Sequence, residues 1–353
     1  MYLEGNISID PSQLTKIEKV KPQKAFKKML FFLTSGAISD KEEHETFQAV
    51  SILQQLNMCF RNKGVNNIIR LSHDNIDFYL DTEGKEDDLK EALEKYDLEL
   101  DDSMSTHFNQ LELILEHDDE HFKYLIDIRI NRTHAVGAYP IEMKISALIK
   151  DFTSGNKAEV ESKMKSIFSS QEQYDQFVKS KEALFQNWLD ELRRALESFM
   201  KVDDVVVDLK SKILVSEQKP ERSDNIEYRR NEGHYGVYYG YYGFNDYLFY
   251  TYMWSSMSHN HHIHIHDTDL ISDEGTEIGS IGEEGIDAGE SDVFDPDADM
   301  DSKLDSFDQE FGESDTSDSG SWFDGGSFDG DSGDSSSCSS CSSCSSCSSC
   351  GGD

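Results

Sequence analysis

Residues 108–131 read FNQLELILEHDDEHFKYLIDIRIN. Leu111, Leu113 and Leu115 alternate with polar neighbours on one side of an acidic turn. Phe122, Tyr124, Ile126, Ile128 and Ile130 alternate on the other side. Successive strand side chains point to opposite faces, so this period of two predicts a β-hairpin with one buried face. A third run, Ala138 to Leu148, extends the hairpin to a meander. The tip, His117-Asp-Asp-Glu-His121, holds two imidazoles and three carboxylates that could meet a divalent cation. On a bent backbone these groups diverge, and a solvated turn is the simpler reading.

Upstream, Asn67–Leu71 and Ile76–Asp81 are short β-like runs around the polar turn His73-Asp-Asn75, and Glu86–Tyr96 reads as a charged helix. Ahead of them lie two amphipathic helices. The first spans 22–36, with Ala25, Phe26, Met29, Leu30 and Leu33 at helical spacing and Gly36 as its stop. Ser39 and Glu42 form a capping box for the second, which carries Phe47, Val50, Leu53, Leu56 and Phe60 inward and ends before Gly64. Cys59 falls near that apolar face and reads as a small buried hydrophobe. The opening decad MYLEGNISID is acidic and polar, unlike a signal peptide. Lysines 24, 27 and 28 before Met29–Leu33 imitate one, with too short an apolar core.

Downstream, Val160, Met164 and Ile167 mark a helix. Phe185, Trp188, Leu189, Leu192, Leu196 and Phe199 give a stronger one with a single apolar face. Val205–Leu209 and Ile213–Val215 suggest an edge strand. The pattern predicts an α+β domain over 1–215, an antiparallel β-meander packed with flanking helices, followed by a long disordered acidic low-complexity tail. Within that appendage, 216–232 reads as a charged linker, 233–267 as a Tyr/Gly- and His-rich segment, and 268–353 as the acidic tail ending in Ser-Ser-Cys repeats.

Charge follows the same division. Of 33 Lys and Arg residues only Lys303 lies beyond Arg230, against 27 of the 70 acids. Such a tail repels itself and disfavours nucleic acid and anionic lipid, leaving metal ions, basic proteins or self-association as partners. Cys59 stands apart from the other five cysteines, so no disulfide framework spans the body. This points to a reducing, cytoplasmic setting. No apolar run reaches the length of a membrane span. No phosphate-binding glycine loop, nucleophile elbow or His-Glu-x-x-His helix is present, so no catalytic residue can be named.

Two features carry chemistry. Between Tyr235 and Tyr252 stand eight tyrosines, and between His259 and His266 five histidines: His259, His261, His262, His264 and His266. The tyrosine block could self-associate, dock onto the body, or lie at a membrane surface through Phe244, Leu248, Phe249 and Trp254. An extended His262-Ile-His264-Ile-His266 would put three imidazoles on one face, able to bind zinc, copper or nickel with help from Asp267 and Asp269. The alternating Asp295, Asp297, Asp299 and Asp301 lack the glycine and closing glutamate of a calcium loop and read as a solvated acidic run. At the end, Cys338, Cys341, Cys344, Cys347 and Cys350 recur every third residue, a step that lets neighbouring thiolates share one ion. The expected function is a non-enzymatic binding protein with a metal-capturing tail. The alternative is a scaffold whose tyrosine block and acidic–aromatic tail recruit partners.

Overall fold

In the computed structural model, strands β4 (Gln110–Asp118) and β5 (Phe122–Asn131) pair antiparallel, with Leu111 opposite Ile130, Leu113 opposite Ile128 and Leu115 opposite Ile126. β6 (Ile141–Ile149) continues the meander on β5. The structure describes residues 1–11, 52–53, 55–74, 76–81, 83–94, 109–131, 138–152, 157–200, 202–215, 247–272 and 277–311. The expected helix over 22–36 and the capping box at Ser39 lie outside them.

The opening decad is a strand. β1 (Tyr2–Pro11) sits in the interior of the sheet, antiparallel to β6 on one side and to β7 (Val202–Val215) on the other. β7 is therefore not the edge strand its sequence suggests. β2 (Asn67–His73) and β3 (Ile76–Leu80) extend the sheet beyond β4. At the opposite end, β9 (Thr268–Ser272) pairs parallel to β7, and β10 (Glu277–Ile281) pairs antiparallel to β9. Among the described residues nine strands run in the order β10-β9-β7-β1-β6-β5-β4-β2-β3, giving a mixed α+β fold with one large sheet.

One face of the sheet carries the main core. It receives α1 (residues 55–62), α2 (Leu89–Glu94), α3 (Lys157–Ile167) and α4 (Gln171–Phe199). The last begins where Ser170 caps it, its hydroxyl accepting from the Gln173 backbone N–H at 3.3 Å. That bond satisfies one of the helix's orphan donors. Phe185, Leu189, Leu192 and Leu196 then line the buried stripe at helical spacing. The helix crosses β1 at Gly5, where a Cβ would lie 2.7 Å from Leu189 Cδ1 and 3.1 Å from the Phe185 ring. Only a bare Cα admits so close an approach.

Cys59 is fully buried in this core, and burial pushes its thiol up to about 11, with Lys63 pulling the other way. The packing role expected of it fits that environment. The acidic hairpin tip is a well-bonded turn. Asp119 accepts from the backbone N–H groups of His121 and Phe122 and from the Tyr124 hydroxyl, at 2.7, 2.8 and 2.6 Å. His117 stacks on Tyr124 and Trp188.

Folded structure runs well past the expected boundary at 215. Helix α5 (Tyr247–Asn260), the two-residue strands β8 (His264–Ile265) and β11 (Ile286–Asp287), and helix α6 (Met300–Phe311) belong with the sheet to one unit, Met1–Ser314. The physical reason is Trp254. It is 1 % exposed and packs on Phe168, Tyr174 and Phe177 at 4.9, 5.6 and 6.1 Å between ring centroids. An indole buried this way is not available to dip into a membrane. Asp299, read from sequence as part of a solvated acidic run, caps α6 by accepting from the Ser302 N–H at 2.8 Å. The tyrosines at 235–242 and all of 312–353 lie outside the described residues. No helix among those described is long and apolar enough to cross a membrane.

Candidate functional site

The histidine run occupies the turn between α5 and β9. Helix α5 ends at Asn260, and His262 takes a positive φ of 50° that swings the chain into β8. Ile263 and Ile265 are buried, so His262, His264 and His266 face outward. The alternation that suggested a ligand face is equally the signature of a strand that buries two isoleucines. β8 is held from two sides. It pairs antiparallel with β11, Ile265 opposite Ile286. On the other side the Gln171 side-chain amide imitates a strand, donating to the His264 carbonyl at 2.9 Å and accepting from its N–H at 2.8 Å.

Each of the five rings has one nitrogen against an oxygen. His259 Nδ1 lies 2.8 Å from the Ala288 carbonyl, His261 Nδ1 2.9 Å from that of Met257, and His264 Nε2 2.9 Å from that of Glu284. His262 Nδ1 faces the Asp287 carboxylate at 3.2 Å, and His266 Nδ1 faces that of Asp267 at 2.9 Å. A carbonyl oxygen can only accept, so the facing nitrogen carries the proton. In the neutral ring the opposite nitrogen then keeps its lone pair. That nitrogen is Nε2 in His259, His261, His262 and His266, and Nδ1 in His264. Metal-binding histidines are oriented by the same kind of bond on their remote nitrogen.

Two glycines seat the rings. A Cβ at Gly289 would lie 2.3 Å from His262 Nδ1, and one at Gly285 2.4 Å from His264 Nε2. Gly285 also has a φ of 65°, which disfavours any side chain there. These glycines, with Gln171, Asp287 and the carbonyls of Ala288 and Glu284, are the part of the site that sequence reading missed. They sit 20 to 30 residues downstream of the histidines, or some 90 upstream, and nothing local in the sequence connects them.

Among the described residues no three His, Cys, Asp or Glu side chains come together as a group that could hold a metal ion. The expected single face of three imidazoles is therefore not formed as one chelate. Asp269, read from sequence as a carboxylate ligand, instead accepts from the Ser280 hydroxyl at 2.7 Å and pairs with Lys210. Cys338, Cys341, Cys344, Cys347 and Cys350 lie outside the described residues.

The sheet's second face is also chemically distinctive. Among the described residues its apolar cluster of Tyr2, Ile69, Ile114, Leu125, Leu148, Leu214 and Ile271 comes from strands alone. Across it runs a row of charge in register, Glu112 beside Arg129 beside Glu142. Arg129 also reaches Asp127 at 3.1 Å, and Arg70 joins Glu112 at 2.9 Å to Asp77 at 2.5 Å. The alternation predicted one buried face, yet on this other face Asp127 is 7 % exposed and Glu4 only 3 %. Charges so placed persist because they are paired.

Burial pushes the Asp127 carboxyl up to about 6, with Glu112 adding and Arg129 and Lys144 opposing. Burial likewise raises Glu116 and Glu142 to about 7. Each of these groups binds protons more tightly folded than unfolded, where carboxylates titrate near 4. Stability should therefore rise as pH falls from about 8 through 7 and 6 toward 5. Urea midpoints measured across that range check the sign, and a flat or falling profile would contradict the assignment. Networks of this kind perturb pKa values in purely structural settings too, so the row is read as a scaffold element.

Set against known protein families, curated proteins and solved structures, the chain matches no family model, no curated protein and no solved structure.

Proposed function

We propose that the chain is a non-enzymatic binding protein that captures zinc, copper or nickel. The imidazole turn forms one set of ligands, and Cys338, Cys341, Cys344, Cys347 and Cys350 form a second, tighter set. The observation that carries this reading is the anchoring of five imidazoles, each by one nitrogen, with His261, His262, His264 and His266 exposed. Oriented neutral imidazole suits these borderline ions, and thiolates at every third residue suit their softer forms. Thiols so close together hold metal only while reduced, which fits the cytoplasm.

The test is metal content of the intact chain, purified anaerobically without a His-tag, beside a full-length variant with all five C-terminal cysteines changed to serine. Stoichiometric zinc, copper or nickel in the intact chain, falling at least severalfold in the variant, is the expected result. An intact chain that takes up none of the three under reducing conditions overturns the reading. Concentration-dependent assembly without metal would favour the scaffold alternative, in which the tyrosines at 235–242 and the acidic–aromatic residues beyond 311 recruit partners.

A further inference from the structure

We infer that the imidazole turn binds a borderline divalent cation between two copies of the chain, each copy lending ring nitrogens that one copy alone cannot assemble into a site. The inference rests on the metal-capturing reading above and adds the geometry of capture. Three observations lead to it. Each ring has one nitrogen pinned to an oxygen, so its ligating nitrogen points away from that anchor. The rings of His261, His262, His264 and His266 are exposed. Yet no three ligating side chains converge among the described residues, so one copy offers an incomplete set.

A zinc ion completes a tetrahedron of four ligands. In a two-fold dimer the same patch faces itself, so two nitrogens from each copy supply four. The patch is suited to such sharing because it is preorganised. The Gln171 amide fixes the His264 backbone, β11 fixes Ile265, and Gly285 and Gly289 seat two of the rings. Little side-chain freedom is left to lose on binding.

Charge makes the association conditional on metal. The chain carries a formal net charge of −37, and Asp267, Asp287, Glu283 and Glu284 belong to or border the turn itself. Two such surfaces repel each other at low ionic strength. A dication between them offsets part of that repulsion where the rings meet.

The experiment uses the full chain with Cys338, Cys341, Cys344, Cys347 and Cys350 changed to serine, so that no C-terminal thiolate competes. Zinc chloride is titrated in and sedimentation velocity is recorded, then a chelator is added. We expect a monomer without zinc, a dimer approaching one zinc per two chains, and reversal by the chelator. Two further variants are made in that background. H261Q/H266Q removes rings whose polar anchors are local, the Met257 carbonyl and Asp267, the His261 ring lying also 6.4 Å from that of Phe168, and leaves the β8–β11 pairing untouched. H262Q/H264Q removes the glycine-seated pair. At least one should raise the zinc concentration needed for half-dimerisation tenfold or more, with its thermal unfolding midpoint unchanged.

Dimerisation unaffected by both variants overturns the inference, as does zinc bound by a species that stays monomeric. If the serine variant binds no zinc while the intact chain does, this inference falls and the cysteine reading stands. If neither chain binds zinc, copper or nickel, both fall. Long-range nitrogen–proton NMR gives an independent check. Zinc should perturb Nε2 of His261, His262 or His266, or Nδ1 of His264, and shifts confined to the anchored nitrogens would also overturn it.

Discussion

Replacing Trp254 with alanine is expected to destabilise the fold by about 3–5 kcal/mol, the usual penalty for emptying a large aromatic site in a packed core. The indole is the largest fully buried side chain among the described residues. It meets Phe168 edge-on at 4.9 Å, with Tyr174 and Phe177 tilted against it. Phe168 follows α3, and Tyr174 and Phe177 stand on the first turns of α4. Trp254 therefore ties the segment after 246 to α4 and to the residue that follows α3. Its loss leaves a cavity that Phe168 and the two rings on α4 cannot close by small shifts. The check is the shift of the urea midpoint, with the slope against denaturant compared in the two proteins. A loss under about 1 kcal/mol would mean that α5 is not part of the cooperative core.

The second large effect is expected on the opposite face. Glu4 is buried between two lysines, its Oε2 3.0 Å from Lys144 Nζ and its Oε1 2.9 Å from Lys212 Nζ. Burial alone would raise its carboxyl, but the two ammonium groups together hold it below the ordinary value. Glu4→Ala removes the shared counter-charge and leaves two lysines facing one another. Breaking a buried pair in this way costs about 3–5 kcal/mol. Glu4→Gln keeps the shape without the charge and should recover only part of the loss. The linkage has the opposite sign to that of Asp127. A depressed carboxyl stabilises the fold above its unfolded pKa, and that contribution disappears as pH falls through the folded value. The gap between wild type and Glu4→Gln should therefore be full at pH 7 and narrow below about pH 4. A gap that stays constant with pH would show that the carboxylate's charge contributes nothing.

The elements legible in the sequence were those whose pairing is local. β4, β5 and β6 follow one another, and each alternates cleanly, so the meander could be read without knowing what covers it. β1 was missed although Leu3, Ile7 and Ile9 keep the same period, because Gly5 interrupts the apolar series where α4 crosses. Its partners also lie some 130 to 200 residues away in sequence. The stretch after 246 was hidden by composition. Tyrosines, histidines and acids looked like a tract without a core, yet Trp254, Ile263, Ile265, Leu270 and Phe294 are all buried. Between His262 and His266 the informative residues were the two isoleucines, and the histidines drew the eye. The imidazoles themselves were plain in the sequence. Their anchoring was not, since it depends on carbonyls at 257, 284 and 288 that no side-chain pattern reveals.

The place of β1 bears on how the chain is made. It leaves the ribosome well before either partner, since β6 begins roughly 130 residues later and β7 later still. At about 5–20 residues per second the first strand waits ~7–26 s for one neighbour. Throughout that interval the nascent chain carries an amphipathic strand with both hydrogen-bonding edges open. Closing the sheet around it requires long loops to be drawn in before any pairing compensates, a topology that folds slowly. Nascent chains stalled before residue 141 should accordingly depend on holdase chaperones, and those stalled after β7 has emerged should be released from them.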